Sequence, residues 1–169
     1  TRAWAGAGLL DADPTAVAVA VPPILLSTRL HDGTQAELAA LVRAGLPAAR
    51  IVVDYLDDPN PDEQRTLFAC LIEFGDAGLP ALAEGLRHPS PRVREGVLRC
   101  IQYGGRATRL RARVTARLRD PEPRVRAAAA ATLAALDPRR AEATVPVLAD
   151  LLFDPDRHCR IDAVATLRQ

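Results

Sequence analysis

The chain has no lysine and no methionine, and aromatic residues make up only 4% of its 169 positions. So few rings argue against stacking platforms for bases or sugars, and leave any core to be filled by Ala, Leu and Val. All 22 basic residues are arginine, which in an alanine-rich chain suggests a GC-rich genome more than a selected chemistry. There are three cysteines, Cys70, Cys100 and Cys159, an odd number at wide spacings with no Cys-x-x-Cys pair. A disulfide framework is therefore not indicated, and a reducing, cytoplasmic setting is expected. No apolar run reaches the roughly 20 residues needed to span a bilayer; the most apolar stretch, residues 16–26, is interrupted by Pro22 and Pro23. The first residue is Thr1, so the chain reads as a processed product or a piece of a larger protein.

Hydrophobic residues at 49% and charged residues at 25% match an ordinary soluble globular protein and exclude general disorder. The net charge of +1 hides a polarity. Residues 1–85 carry five arginines against twelve acids, a net −7, and residues 86–169 carry seventeen against nine, a net +8. Few charges can be fully buried, so this asymmetry belongs to the surface. Copies could attract head to tail through it, a contact that salt would weaken.

The main signal is repetition. LDDPNPDEQRTLFACLIEFG from Leu56, LRHPSPRVREGVLRCIQYGG from Leu86, LRDPEPRVRAAAAATLAALD from Leu118 and LFDPDRHCRIDAVATLRQ from Leu152 align without gaps. The leading leucines are 30, 32 and 34 residues apart, and a weaker copy starts at Leu30, 26 residues before Leu56. Self-similarity at this period marks a solenoid. In each strong copy a proline (Pro59, Pro89, Pro121, Pro155) follows three residues after the leucine and stops a first helix. Asn60, Ser90, Glu122 or Asp156 comes next, and three of these four are good N-cap residues. Pro61, Pro91 and Pro123 then fit the first position of a second helix, where the missing N–H has no partner to lose. The apolar residues Leu67, Phe68 and Leu71; Val93, Val97, Leu98 and Ile101; Val125, Ala129, Ala130 and Leu133; and Ile161, Val164 and Leu167 recur at helical spacing. First helices are expected over 79–86, 107–118 and 143–152, with Pro47, Pro80 and Pro146 in opening turns and Gly75, Gly104 and Gly105 at helix ends.

The expected fold is all-α, an α-solenoid or superhelix of about five helical hairpins in a single domain over residues 1–169. An irregular segment 1–14 is followed by repeats near 15–45, 46–75, 76–105, 106–138 and 139–169. Trp4 with Leu9 and Leu10 is expected to cover the first end. The last helix closes with Arg168 and Gln169, little polar cap for a terminal repeat, so further repeats or another domain are expected beyond it.

The D-P-x-P-R-V-R run of residues 120–126, followed by an Ala/Leu-rich helix, resembles HEAT repeats, and most of all the short repeats named after phycobilisome lyases. The likeness covers residues 30–169. It implies a curved stack with second helices on the concave face, but no single activity. It also implies a ladder in which a turn aspartate pairs with a second-helix arginine: Asp58, Asp120 and Asp154 with Arg94, Arg126 and Arg160, broken at His88 and Gln64.

Catalytic readings find little support. Di-iron enzymes of this architecture use His-Glu pairs, whereas His31, His88 and His158 lie in three different turns and none precedes a glutamate. No metal site or other cofactor is therefore expected. Cys70 and Cys100 share a repeat column with Thr132 and Thr166, which reads as a column of small core residues. His158 and Cys159 are adjacent, so on a helix they point apart. No GxSxG, HExxH or glycine-rich phosphate loop occurs.

Eleven arginines fall within residues 92–126, opposed only by Glu95, Asp120 and Glu122. On the helix expected over 107–118, Leu110, Val114 and Leu118 form a buried stripe, with Arg109, Arg113 and Arg117 in a parallel row. Guanidinium forks in such a row suit carboxylates or phosphates. The expectation is a non-catalytic scaffold that binds a protein with an acidic surface or segment, using Arg92, Arg99, Arg106, Arg109, Arg113, Arg117 and Arg124. The alternative is a nucleic-acid-binding protein of DNA-glycosylase-like architecture that sets its basic face on phosphates; a ligand of either kind in the concave groove would meet Arg92, Arg99 and Arg124 more readily than the arginines of the first helix. Scattered aromatics weaken that alternative, because a flipped base needs rings around it.

Overall fold

A computed structural model describes residues 34–57, 61–105, 108–136 and 144–168. Among these residues the chain is all-α, with packed helices and no strand. It divides into two compact units, Thr1–Leu82 and Ala83–Gln169.

In the first unit, α1 (Thr34–Ala44), α2 (Leu46–Asp54) and α3 (Pro61–Glu73) pack against one another. Gly45 separates α1 from α2 at φ 65°, a left-handed conformation that a side chain would strain. Pro47 lies in the first turn of α2, as its spacing predicted. The interior is aliphatic: Leu41, Val52, Val53, Leu56, Leu67 and Leu71 are buried, with Ala48 and Ala49 allowing close helix approach. A 3₁₀ turn over Gly75–Gly78 leads into α4 (Leu79–Gly85), which runs across the boundary between the units.

The second unit contains α5 (Pro91–Gly104), α6 (Arg111–Ala116), α7 (Pro123–Leu136), α8 (Val145–Leu151) and α9 (Arg157–Leu167). Second helix packs on second helix, α5 on α7 and α7 on α9; α6 lies against α7, and α8 against α7 and α9. Pro91 and Pro123 open their helices as expected, and Gly105 closes α5 at φ 62°, its N–H donating to the Ile101 carbonyl. Val93, Val97, Leu98 and Ile101 on α5 are buried, as are Val125, Ala129, Ala130 and Leu133 on α7. Each full burial of such a branched side chain contributes about 1.5–3 kcal/mol. The small-residue column also lies inside: Cys100 and Thr132 are buried, and the Thr132 hydroxyl lies 2.7 Å from its own helix's Ala128 carbonyl and 3.0 Å from the Leu98 carbonyl of α5.

Two expectations need correction. The helix expected over 107–118 is not continuous among its described residues. It is a 3₁₀ turn (Thr108–Leu110), the short α6, and a second 3₁₀ turn (Arg117–Arg119). The 3₁₀ turns wind more tightly than an α-helix, so the even helical spacing expected for Arg109, Arg113 and Arg117 does not hold across the segment. Ser90 has the extended backbone of an N-cap but makes no side-chain capping bond. Its N–H instead donates to Nδ1 of His88 at 3.1 Å. On α9, Ile161, Val164 and Leu167 keep the helical spacing but are 50%, 38% and 43% exposed. Cys159, Ala163 and Thr166 are the buried residues of that helix.

Candidate functional site

The arginines of the second unit sort by where the turns between helices place them. Each turn carries an Asx-type bond. Oδ1 of Asp120 accepts from the Glu122 N–H at 3.1 Å, and Oδ1 of Asp154 accepts from the Asp156 N–H at 2.8 Å. His88 fills the same role with its ring nitrogen, so it preserves the turn while removing the carboxylate.

Above each turn sits an arginine from the second helix. Nη1 of Arg94 donates to the His88 and Pro89 carbonyls at 2.8 Å each, Nη1 of Arg126 to those of Asp120 and Pro121, and Nη1 of Arg160 to those of Asp154 and Pro155. The other edge of the guanidinium reaches forward to the next turn. Arg94 grips Asp120 with two bonds, Nε to Oδ2 at 2.9 Å and Nη2 to Oδ1 at 2.8 Å. Nη2 of Arg126 comes only to 3.9 Å from Oδ2 of Asp154. The ladder implied by the family resemblance thus has one tight rung and one loose rung; Asp58 lies outside the described residues.

Asp120 is 3% exposed. Burial acts to raise its pKa, but the Arg94 bonds, the Glu122 amide and the charges of Arg94 and Arg117 outweigh it and hold the carboxyl below its ordinary value.

The candidate partner-binding arginines take different places. Arg99 bonds Glu95 at 2.9 Å on its own helix and Asp162 of α9 at 3.1 Å. That second bond passes α7, which packs between α5 and α9 and carries the run Ala127–Ala131. Burial opposes the Arg99 charge, but Glu95 and Asp162 prevail and raise its pKa above the ordinary range. Arg124 bonds Asp156 at 2.7 Å, and the pair moves both groups: the guanidinium upward and the carboxyl, also held by the His158 amide, down to about 2. Arg117 contacts Asp120 at 3.3 Å. Arg92, Arg109 and Arg113 are exposed, as is Arg119 beside them in the chain. Arg106 lies outside the described residues. Two of the three arginines assigned to a groove ligand are therefore neutralised internally, while the exposed positions cluster on and beside α6.

The cysteines are free and buried. Burial pushes the thiols of Cys70 and Cys159 up to about 11 and that of Cys100 up to about 12, so none is a ready nucleophile. Among the described residues no group of three or more His, Cys, Asp or Glu could hold a metal ion, and no single helix is long and apolar enough to cross a membrane.

In the second unit, Asp–Arg rungs join neighbouring helical hairpins. Residues 110–169, from the first turn before α6 through α9, match the family of HEAT repeats. HEAT repeats in general mediate protein–protein interaction. No curated protein matches the chain.

Proposed function

We propose that the chain is a non-catalytic scaffold that binds an acidic protein segment through the exposed arginines on and beside α6, chiefly Arg113 and Arg119, with Arg92 at the start of α5. One observation carries this reading: Arg94, Arg99, Arg124, Arg126 and Arg160 on the second helices bond to the protein's own carboxylates or turn carbonyls, whereas Arg113 and Arg119 are exposed. An exposed guanidinium can offer a planar pair of donors to a carboxylate without first breaking an internal pair. Nucleic-acid binding is the weaker reading, because Arg99 and Arg124 would have to give up Asp162 and Asp156 to meet a phosphate. We also infer that the repeats belong to the short, phycobilisome-lyase type, from the 30–34-residue spacing and the pattern of residues 120–126. The buried thiols suit a reducing, cytoplasmic setting.

Fluorescence anisotropy with labelled Asp/Glu-rich peptides and with a labelled duplex DNA tests the proposal. The expected result is peptide binding that weakens with salt and is lost in Arg113→Glu/Arg119→Glu, with helix content unchanged. Tighter binding of the duplex, with a steep salt dependence, or peptide binding indifferent to these substitutions, would overturn it.

A further inference from the structure

We propose that the edge formed by the turns of the second unit is the docking surface for an extended acidic segment that also carries an apolar side chain: a carboxylate meets Arg119, the apolar group meets Phe153, and Arg87 continues the row. The inference rests on the acidic-segment reading for Arg119 and adds the shape and chemistry of the partner.

Arg87, Arg119 and Phe153 occupy one repeat position, directly after the leading leucines Leu86, Leu118 and Leu152 and two residues before the turn prolines. The backbone is the same at all three. The N–H of the next residue, His88, Asp120 or Asp154, donates to the carbonyl of Gly85, Arg117 or Leu151 at 3.1, 3.1 and 3.2 Å. All three side chains are exposed. Their turns are tied into a row. Arg94 spans from the His88 carbonyl to the Asp120 carboxylate, and Arg126 from the Asp120 carbonyl to within 3.9 Å of Asp154. Arg87 and Arg119 are exposed although a further hairpin follows each, so the exposure of Phe153 belongs to the repeat position and not to its place in the last hairpin.

Phe153 is 88% exposed, whereas Phe74 is 3% exposed. A lone apolar residue on a surface is commonplace. Phe153 differs because it extends a row of arginines, and arginine with aromatic side chains is the composition of protein-binding surfaces. Arg87 and Arg119 bond to no carboxylate among the described residues, so both can accept one from outside. The residue one turn earlier is Glu84 before Arg87, Ala116 before Arg119 and Asp150 before Phe153. Arg119 is therefore the strongest cationic point of the row. Asp150, exposed beside Phe153, repels an acid there and leaves that position to an uncharged group. Packed helices lie roughly 8–10 Å apart and extended chain advances ~3.3 Å per residue, so about three residues of the partner cover one step of the row.

Fluorescence anisotropy tests the proposal with labelled peptides in which two glutamates and a leucine are spaced by about three residues, carboxylates first or leucine first. The controls are a shuffled peptide of the same composition and one with serine in place of the leucine. One of the two orders is expected to bind about ten-fold tighter than either control. Phe153→Ser should bring that peptide down to the serine control and leave the control's own affinity unchanged. Arg119→Glu should weaken every acidic peptide, with helix content unchanged in both variants. Equal binding of the shuffled peptide, or indifference of the leucine peptide to Phe153→Ser, would overturn this inference and leave the acidic-segment reading standing. Binding of no acidic peptide would overturn both.

Discussion

The two rungs of the ladder are built from the same residue types, yet one is closed and the other nearly open. Arg94 holds both oxygens of Asp120 at 2.8–2.9 Å, with the carboxylate fully buried. Arg126 stands 3.9 Å from Asp154, and its side chain is 29% exposed. Asp120 has a second cation, Arg117, on the preceding turn; residue 151, at the same place before Asp154, is a leucine. A doubly bonded, desolvated pair is stronger than a single longer contact near water. Similar sequence motifs therefore do not carry similar energies, and rung strength depends on how much water the surrounding turns exclude.

Breaking the closed rung should have the largest effect. Asp120→Ala leaves the Arg94 guanidinium buried beside an empty site and also removes the turn bond to Glu122, at a cost of about 3–5 kcal/mol, read from urea unfolding. Acid attacks the same carboxylate less severely, since the protonated group keeps an acceptor oxygen. The pKa of Asp120 is lowered by folding, so its contribution is fully present above the ordinary value near 3.8 and is lost as pH falls through the folded value. Asp156 adds loss down to about pH 2. Stability should therefore fall below about pH 4 in the wild type and less steeply in Asp120→Ala; parallel acid curves would argue that other carboxylates dominate. Asp154→Ala on the open rung should cost about 1–2 kcal/mol, mostly from the lost turn bond, and a value equal to that of Asp120→Ala would remove the distinction between the rungs. Arg113→Ala, outside the ladder, should change stability by less than ~0.5 kcal/mol while weakening acidic-peptide binding.

Much of the fold was legible because local rules and the repeat agreed. Pro91 and Pro123 could open helices but not continue them, and Val93, Val97 and Leu98 could share only one helical face. The turn aspartates and their arginines were legible through the family pattern. The Arg99–Asp162 bond joins residues 63 apart and depends on α5, α7 and α9 coming together, which neither residue reveals in its own repeat. His88 looked like a break in the ladder because its residue type conceals that a ring nitrogen can replace a carboxylate oxygen in the turn. Ile161, Val164 and Leu167 satisfied the helical period, yet period alone does not say which of two apolar stripes a neighbour covers.

The sequence by itself determined that the chain is helical, where its turns fall, and that the core is aliphatic, because proline geometry, helical period and residue size act over a few neighbouring positions. Only the tertiary structure decided which arginines bond inward and which extend outward, how tight each rung is, and which face of the last helix stays open. Those outcomes depend on distances between helices and on exclusion of water, which arise when hairpins far apart in the chain are packed together.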